Sequence, residues 1–171
     1  MKKLLMALAI WGMSISTAFA ASMDIERVYQ DGDDVTVTIK CVGAPSDTSS
    51  DTLLWQGRSL TDIIKGTYFY QVCTAPLAVD PPDDGTDLLI YLKLNRDEKV
   101  DILGSEDNST AYHGLNIIDS TTPECAVGNM YIKRAGEHVN HFWKIDNTIT
   151  IDIDNQTDTT AEYTLTLYFV R

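Results

Sequence analysis

Apolar and polar residues alternate with a period of two along most of this chain, and helical periodicity is nearly absent. In Val35-Thr-Val-Thr-Ile-Lys-Cys41 the set Val35, Val37, Ile39, Cys41 falls on one side and Thr36, Thr38, Lys40 on the other. Successive side chains of a strand point to opposite faces, so this is the pattern of a half-buried strand. Near the end of the chain the pattern recurs: Asn147 to Ile153 buries Ile149, Ile151 and Ile153, and Tyr163 to Phe169 buries Tyr163, Leu165, Leu167 and Phe169. The polar cluster Asp154 to Thr160 between them reads as a turn, which predicts that these two strands form a hairpin or lie side by side.

The middle of the chain is more apolar. Thr67 to Cys73 is aromatic and β-branched, and Asp87 to Lys93 is apolar on both faces, as expected of a strand in the centre of a packed sheet. Pro76, Pro81, Pro82, Asp83, Asp84 and Gly85 separate the two as an extended loop. Shorter candidates are Ile25 to Gln30, Thr52 to Gln56, Val100 to Leu103, Asn129 to Arg134 and Val139 to Ile145, and Leu60 to Lys65 fits one helical turn after Ser59. Eight or nine strands at this spacing predict an all-β, single-domain antiparallel β-sandwich, with a jelly roll as one form it can take.

The first twenty residues stand apart. Met1-Lys2-Lys3 is basic, Leu4 to Ile15 is almost unbroken apolar, and Ala18 and Ala20 are the small residues a signal peptidase reads. A cleavable leader over 1–20 and a folded domain over 21–171 are expected, hence export to a periplasm or the extracellular space. The apolar run falls short of the roughly 20 residues that span a bilayer, so membrane insertion is not expected. The whole chain carries a net charge of −12, and two of its lysines lie in the leader. Such a surface repels phosphates, which argues against nucleic acid as a partner.

Three cysteines are an odd set for an oxidising compartment. Cys41 and Cys73 both sit in strand-like runs and form the favoured pair, leaving Cys125 free or available to another chain. The alternative is that all three are small buried apolar residues. His138 and His141, with Glu137 beside them and His113 elsewhere, are the candidate metal nitrogens. On a strand His138 and His141 point to opposite faces, so no metal site is assigned to them. Acidic turns at Asp31 to Asp34, Asp80 to Asp87, Asn95 to Asp101 and Asp152 to Asp158 offer oxygen atoms to calcium, but none has the spacing of a helix-loop-helix calcium loop. Turn formation explains them without an ion, and no cofactor is expected. No Ser, His and Asp stand in a recognisable catalytic order, and no catalytic residue is assigned. Asn108-Ser-Thr110 and Asn155-Gln-Thr157 match the glycosylation sequon, given little weight beside a leader of bacterial type. Strand-donating pilus subunits share an aromatic next to the last residue and a glycine further back. Here Val170 and Asp158 hold those places.

From Gly66 to Asn108 the chain resembles small virion-associated β-proteins of tailed phages and environmental viral sequences. The elements that carry the resemblance are Gly66 to Val72, the loop Pro76 to Pro82, Thr86 to Leu92, and Arg96 to Gly104 followed by Asn108-Ser-Thr110, with the late strand Tyr163 to Val170 similar too. The resemblance implies a non-enzymatic structural or decorating role, with a capsid or tail lattice, or a cell-surface component, as protein partner and self-association as an option. The leader departs from that pattern, since virion parts assemble in the cytoplasm. A second expectation is a secreted ligand-binding module, for carbohydrate or adhesion, using Trp55, Tyr112 or Trp143.

Overall fold

The computed structural model describes residues 21–46, 48–84, 86–93, 99–103, 115–118, 121–132, 137–140 and 143–171. The expected leader, the sequon at Asn108, Tyr112, His113, His141 and most of the acidic run from Asn95 lie outside them. In chain order the elements are β1 (Ser22–Asp31), β2 (Asp34–Val42), β3 (Thr48–Ser49), β4 (Leu54–Trp55), β5 (Arg58–Ser59), α1 (Leu60–Ile64), β6 (Tyr68–Pro76), β7 (Thr86–Lys93) and β8 (Lys99–Asp101). They continue as β9 (Leu115–Ile118), β10 (Glu124–Val127), β11 (Asn129–Ile132), β12 (Glu137–Asn140), β13 (Trp143–Lys144), β14 (Ile149–Asp154) and β15 (Glu162–Val170). The fold is all-β and antiparallel, as the alternation predicts. Strands beyond the expected eight or nine are mainly two- and three-residue pieces, too short to show a period.

Two sheets share the core. The first runs β1-β2-β15-β6-β10, with β13 also on β6, and the second runs β3-β14-β7-β8, with β9 also on β7. Val37, Ile39, Leu165, Leu167 and Val72 from the first meet Leu88, Ile90, Leu92, Ile149 and Ile151 from the second in one buried cluster. Each such side chain is worth roughly 1.5–3 kcal/mol when fully buried, which is why alternation decides the layers. Phe69 and Phe169 add an edge-to-face contact at 5.7 Å within it. In β7 the residues of both faces are buried, Leu88 and Ile90 on one side and Leu89 and Tyr91 on the other. Its partners are β14 on one side and β8 and β9 on the other, so it is the inner strand its apolar sequence predicts.

α1 forms where the Ser59 signal placed it. The Ser59 hydroxyl accepts from Asp62 N at 3.2 Å, a side-chain cap on the first turn, and Leu60, Ile63 and Ile64 point into the core.

The predicted pairing of the last two long strands is corrected. β14 lies between β3 and β7 in the second sheet, while β15 lies between β2 and β6 in the first. The polar run between them is a crossover from one layer to the other. Backbone bonds pin its far end to the first sheet's loops, Gly43 N to Ala161 O at 2.9 Å and Glu162 N to Asp80 O at 2.6 Å.

The cysteine pairing is corrected too. Cys73 is bridged to Cys125, directly opposite it on β10, and Cys41 is free and buried. Cys41 sits on the inner face of β2, Cys73 on the outer face of β6, and β15 runs between the two strands. Two strand spacings are about 9.6 Å, beyond the reach of a disulfide even if the faces agreed.

Two irregularities in the first sheet matter for its surface. Between Ile25 and Arg27 the register of β1 on β2 skips Glu26, and between Phe69 and Gln71 the register of β6 on β15 skips Tyr70. Each is a bulge, an extra residue that reverses the in-out parity of the rest of its strand. In β1, Met23 and Ile25 face the core, and past the bulge Arg27, Tyr29 and Asp31 stand opposite Thr38, Thr36 and Asp34 on the outer face. In β6, Phe69 faces the core, Tyr70 is exposed, and Val72 rather than Cys73 turns inward.

Candidate functional site

The middle of the outer face of the first sheet is polar: Thr38 of β2 is opposite Thr166 of β15, and Lys40 is opposite Thr164 and ion-paired with Glu162 at 2.8 Å. At one end this face becomes aromatic. Tyr29 of β1 is opposite Thr36 of β2, Thr36 is opposite Tyr168 of β15, and Tyr70 stands at the bulge beside it. Tyr29 is 57% exposed and Tyr70 43%, unusual for rings of this size. The three tyrosines, with Thr36, Asp31 and Asp34, line a groove of about 320 Å³. Tyr29 donates a long hydrogen bond to Asp31 Oδ2 at 3.5 Å, which ties one ring to the groove's acidic rim. The β1–β2 turn that carries the rim has Gly32 at φ +59, the left-handed position tight hairpins reserve for glycine.

At the other end of the same strands the acidic residues are spent on the backbone. Asp83 Oδ2 accepts from Thr157 Oγ1 at 2.6 Å, Thr157 N at 3.1 Å and Asp158 N at 3.2 Å. Those bonds, the Thr157 hydroxyl first, hold its carboxyl below its ordinary value. Asp158 Oδ1 in turn accepts from Thr160 N and Oγ1 at 2.8 Å, and Asn155 donates to Asp87. Gly43 closes this end at φ +63, with Tyr163 donating to its carbonyl at 2.9 Å. Among the described residues no group of three or more His, Cys, Asp or Glu could hold a metal ion. In the acidic turns Asp80 to Asp87 and Asp152 to Asp158, the carboxylates of Asp83, Asp87 and Asp158 brace the loops through these hydrogen bonds.

The remaining expected site residues are dispersed over other elements. Glu137 and His138 lie on β12, paired with Ile132 and Tyr131 of β11. Trp143 is half-buried and packs on the core rather than standing out from the surface. Trp55 also touches the core, but it lines a hollow of about 270 Å³ with Val28, Gln30, Gln56, Arg58 and Ile63. Gln56 and Gly57, at φ 49 and 80, make the tight turn that folds Arg58 back beside Trp55. Sequence reasoning nominated none of the three groove tyrosines. Tyr168 was legible as the outward neighbour of Leu167 and Phe169, but Tyr29 was hidden by the bulge that reverses its face.

These features define an all-β sandwich with a tyrosine-lined outer face and a braced opposite end. Among the described residues no helix is long and apolar enough to cross a membrane. No protein-family model matches the chain, and no match was found among curated proteins or solved structures.

Proposed function

We propose that this chain is an exported, non-enzymatic interaction protein that docks on a protein surface through the outer face of its first sheet. The tyrosine groove carries the reading: three partly exposed rings gathered at one end of an otherwise largely polar face are the composition of a contact surface, because tyrosine gives large contact area at low entropic cost. Export is supported by the leader-like start and by the Cys73–Cys125 bridge, which fits an oxidising compartment. The resemblance to virion-associated proteins points to a capsid or tail lattice as the surface bound, with the periplasm or the cell exterior as the place of meeting.

Co-sedimentation of the mature protein with purified virions and, separately, with envelope fragments tests this. Binding is expected to one of these, with loss on Thr38→Trp, which intrudes on the middle of the face without touching the core. Failure of the wild-type protein to sediment with either would end the proposal. A second reading, a carbohydrate module, is favoured by the Trp55 hollow, where an indole stands beside the polar side chains of Gln30, Gln56 and Arg58. Quenching of tryptophan fluorescence by an oligosaccharide, abolished in Trp55→Leu, would establish it instead.

A further inference from the structure

We propose that the tyrosine groove receives the cationic side chain, arginine or lysine, of the docking partner. This rests on the docking reading above and names the chemistry of the contact.

The lining itself makes the case. Tyr29, Tyr70 and Tyr168 present aromatic rings, Asp31 and Asp34 present carboxylates, and no basic residue lines the groove. The face of an aromatic ring attracts a cation through its quadrupole, and a carboxylate within reach adds a charge-assisted hydrogen bond. A neutral sugar can stack on the rings and donate its hydroxyls to the carboxylates, but it lacks the positive charge that both the ring faces and the two rim acids attract. A phosphate is repelled by both rim acids. The volume of about 320 Å³ lies at the small end of ligand pockets and suits one side chain rather than a chain of sugars. A net charge of −12 steers cations toward the whole surface, so encounter favours a basic partner as well.

Two bulges serve this arrangement. The skipped residue Glu26 brings Tyr29 and Asp31 to the outer face from one side of β2, and the skipped Tyr70 is itself delivered from the far side of β15. Uninterrupted strands would have turned Tyr29 and Asp31 toward the core. The chain's own Arg171 follows Val170, is exposed, and makes no ion pair among the described residues. It is not one of the groove's lining residues.

The test uses the mature protein with ring-labelled tyrosine, titrated with N-acetyl-arginine amide and with its neutral isostere N-acetyl-citrulline amide. Saturable shifts of the Tyr29, Tyr70 and Tyr168 rings with arginine, and binding of citrulline weaker by about tenfold or more, are expected. Tyr163, buried at the opposite end, should not move and so reports an intact fold in every variant. The double variant Asp31→Asn, Asp34→Asn should bind arginine about tenfold more weakly, and Tyr29→Leu should weaken it while keeping the bulk. Equal binding of citrulline and arginine, or arginine shifts confined to other rings, would overturn the proposal. The particle assay separates the two readings. If wild type and the double variant sediment alike, the groove proposal falls and docking stands. If neither sediments, docking falls and the ring shifts alone decide whether the groove binds cations.

Discussion

The two ends of the first sheet use their acidic residues in opposite ways. At the Gly43 end, Asp83 and Asp158 are consumed by backbone N–H groups and threonine hydroxyls of the crossover. At the Gly32 end, Asp31 and Asp34 rim a groove of tyrosines and brace little besides one phenol. The lesson is that an aspartate in a turn becomes available to a partner only when the loop beside it does not need it. A crossover that leaves one sheet for the other exposes many amides at once and takes up the acids around it. A two-residue hairpin satisfies its own ladder and leaves its acids over.

That contrast can be broken by experiment. The bridge between the ends sets the scale: replacing Cys73 and Cys125 by alanine frees a separation of 52 residues, and the chain-entropy model gives a loss of about 4 kcal/mol, read from denaturant midpoints. Next comes Gly43→Ala. The added Cβ meets Thr159 O at 3.0 Å and the backbone is left-handed, so about 2 kcal/mol of destabilisation is expected in the same measurement. Tyr163→Phe should cost about 1 kcal/mol by removing the donor to the Gly43 carbonyl. A smaller effect concerns acid. Asp83 has its folded value held below the ordinary 3.8 by Thr157, so its contribution is fully present above that pH and is lost as pH falls through the depressed value. Thermal melts of Asp83→Asn against wild type should therefore differ near neutrality and converge in strong acid. Smallest of all, Asp34→Asn and Tyr29→Leu should leave stability within about 0.5 kcal/mol. A large loss from either would show that the groove end is also structural.

Much of the layering was legible. The strands at Val35 to Cys41 and Tyr163 to Phe169, the inner position of Asp87 to Lys93 and the turn of helix after Ser59 follow from period and capping alone. The partners of those strands were not, because alternation states which face is buried and not which neighbour lies alongside. The polar run before β15 looks the same whether it reverses within a sheet or crosses between sheets. The bulges hid most of the site. Counting by twos from Phe69 puts Cys73 on the same inner face as Cys41, and the extra Tyr70 turns it out toward Cys125. Counting by twos from Met23 likewise buries Tyr29, and the skipped Glu26 exposes it.

Cys41, fully enclosed between the sheets, has a thiol whose ionisation burial pushes strongly upward. Once the layers close, it can neither attack the Cys73–Cys125 bridge nor join two molecules. The odd sulfur thus becomes a built-in clock: a thiol-modifying dye added to the folded protein labels it only as fast as the sandwich opens, so labelling rate measures whole-domain breathing without any engineered probe.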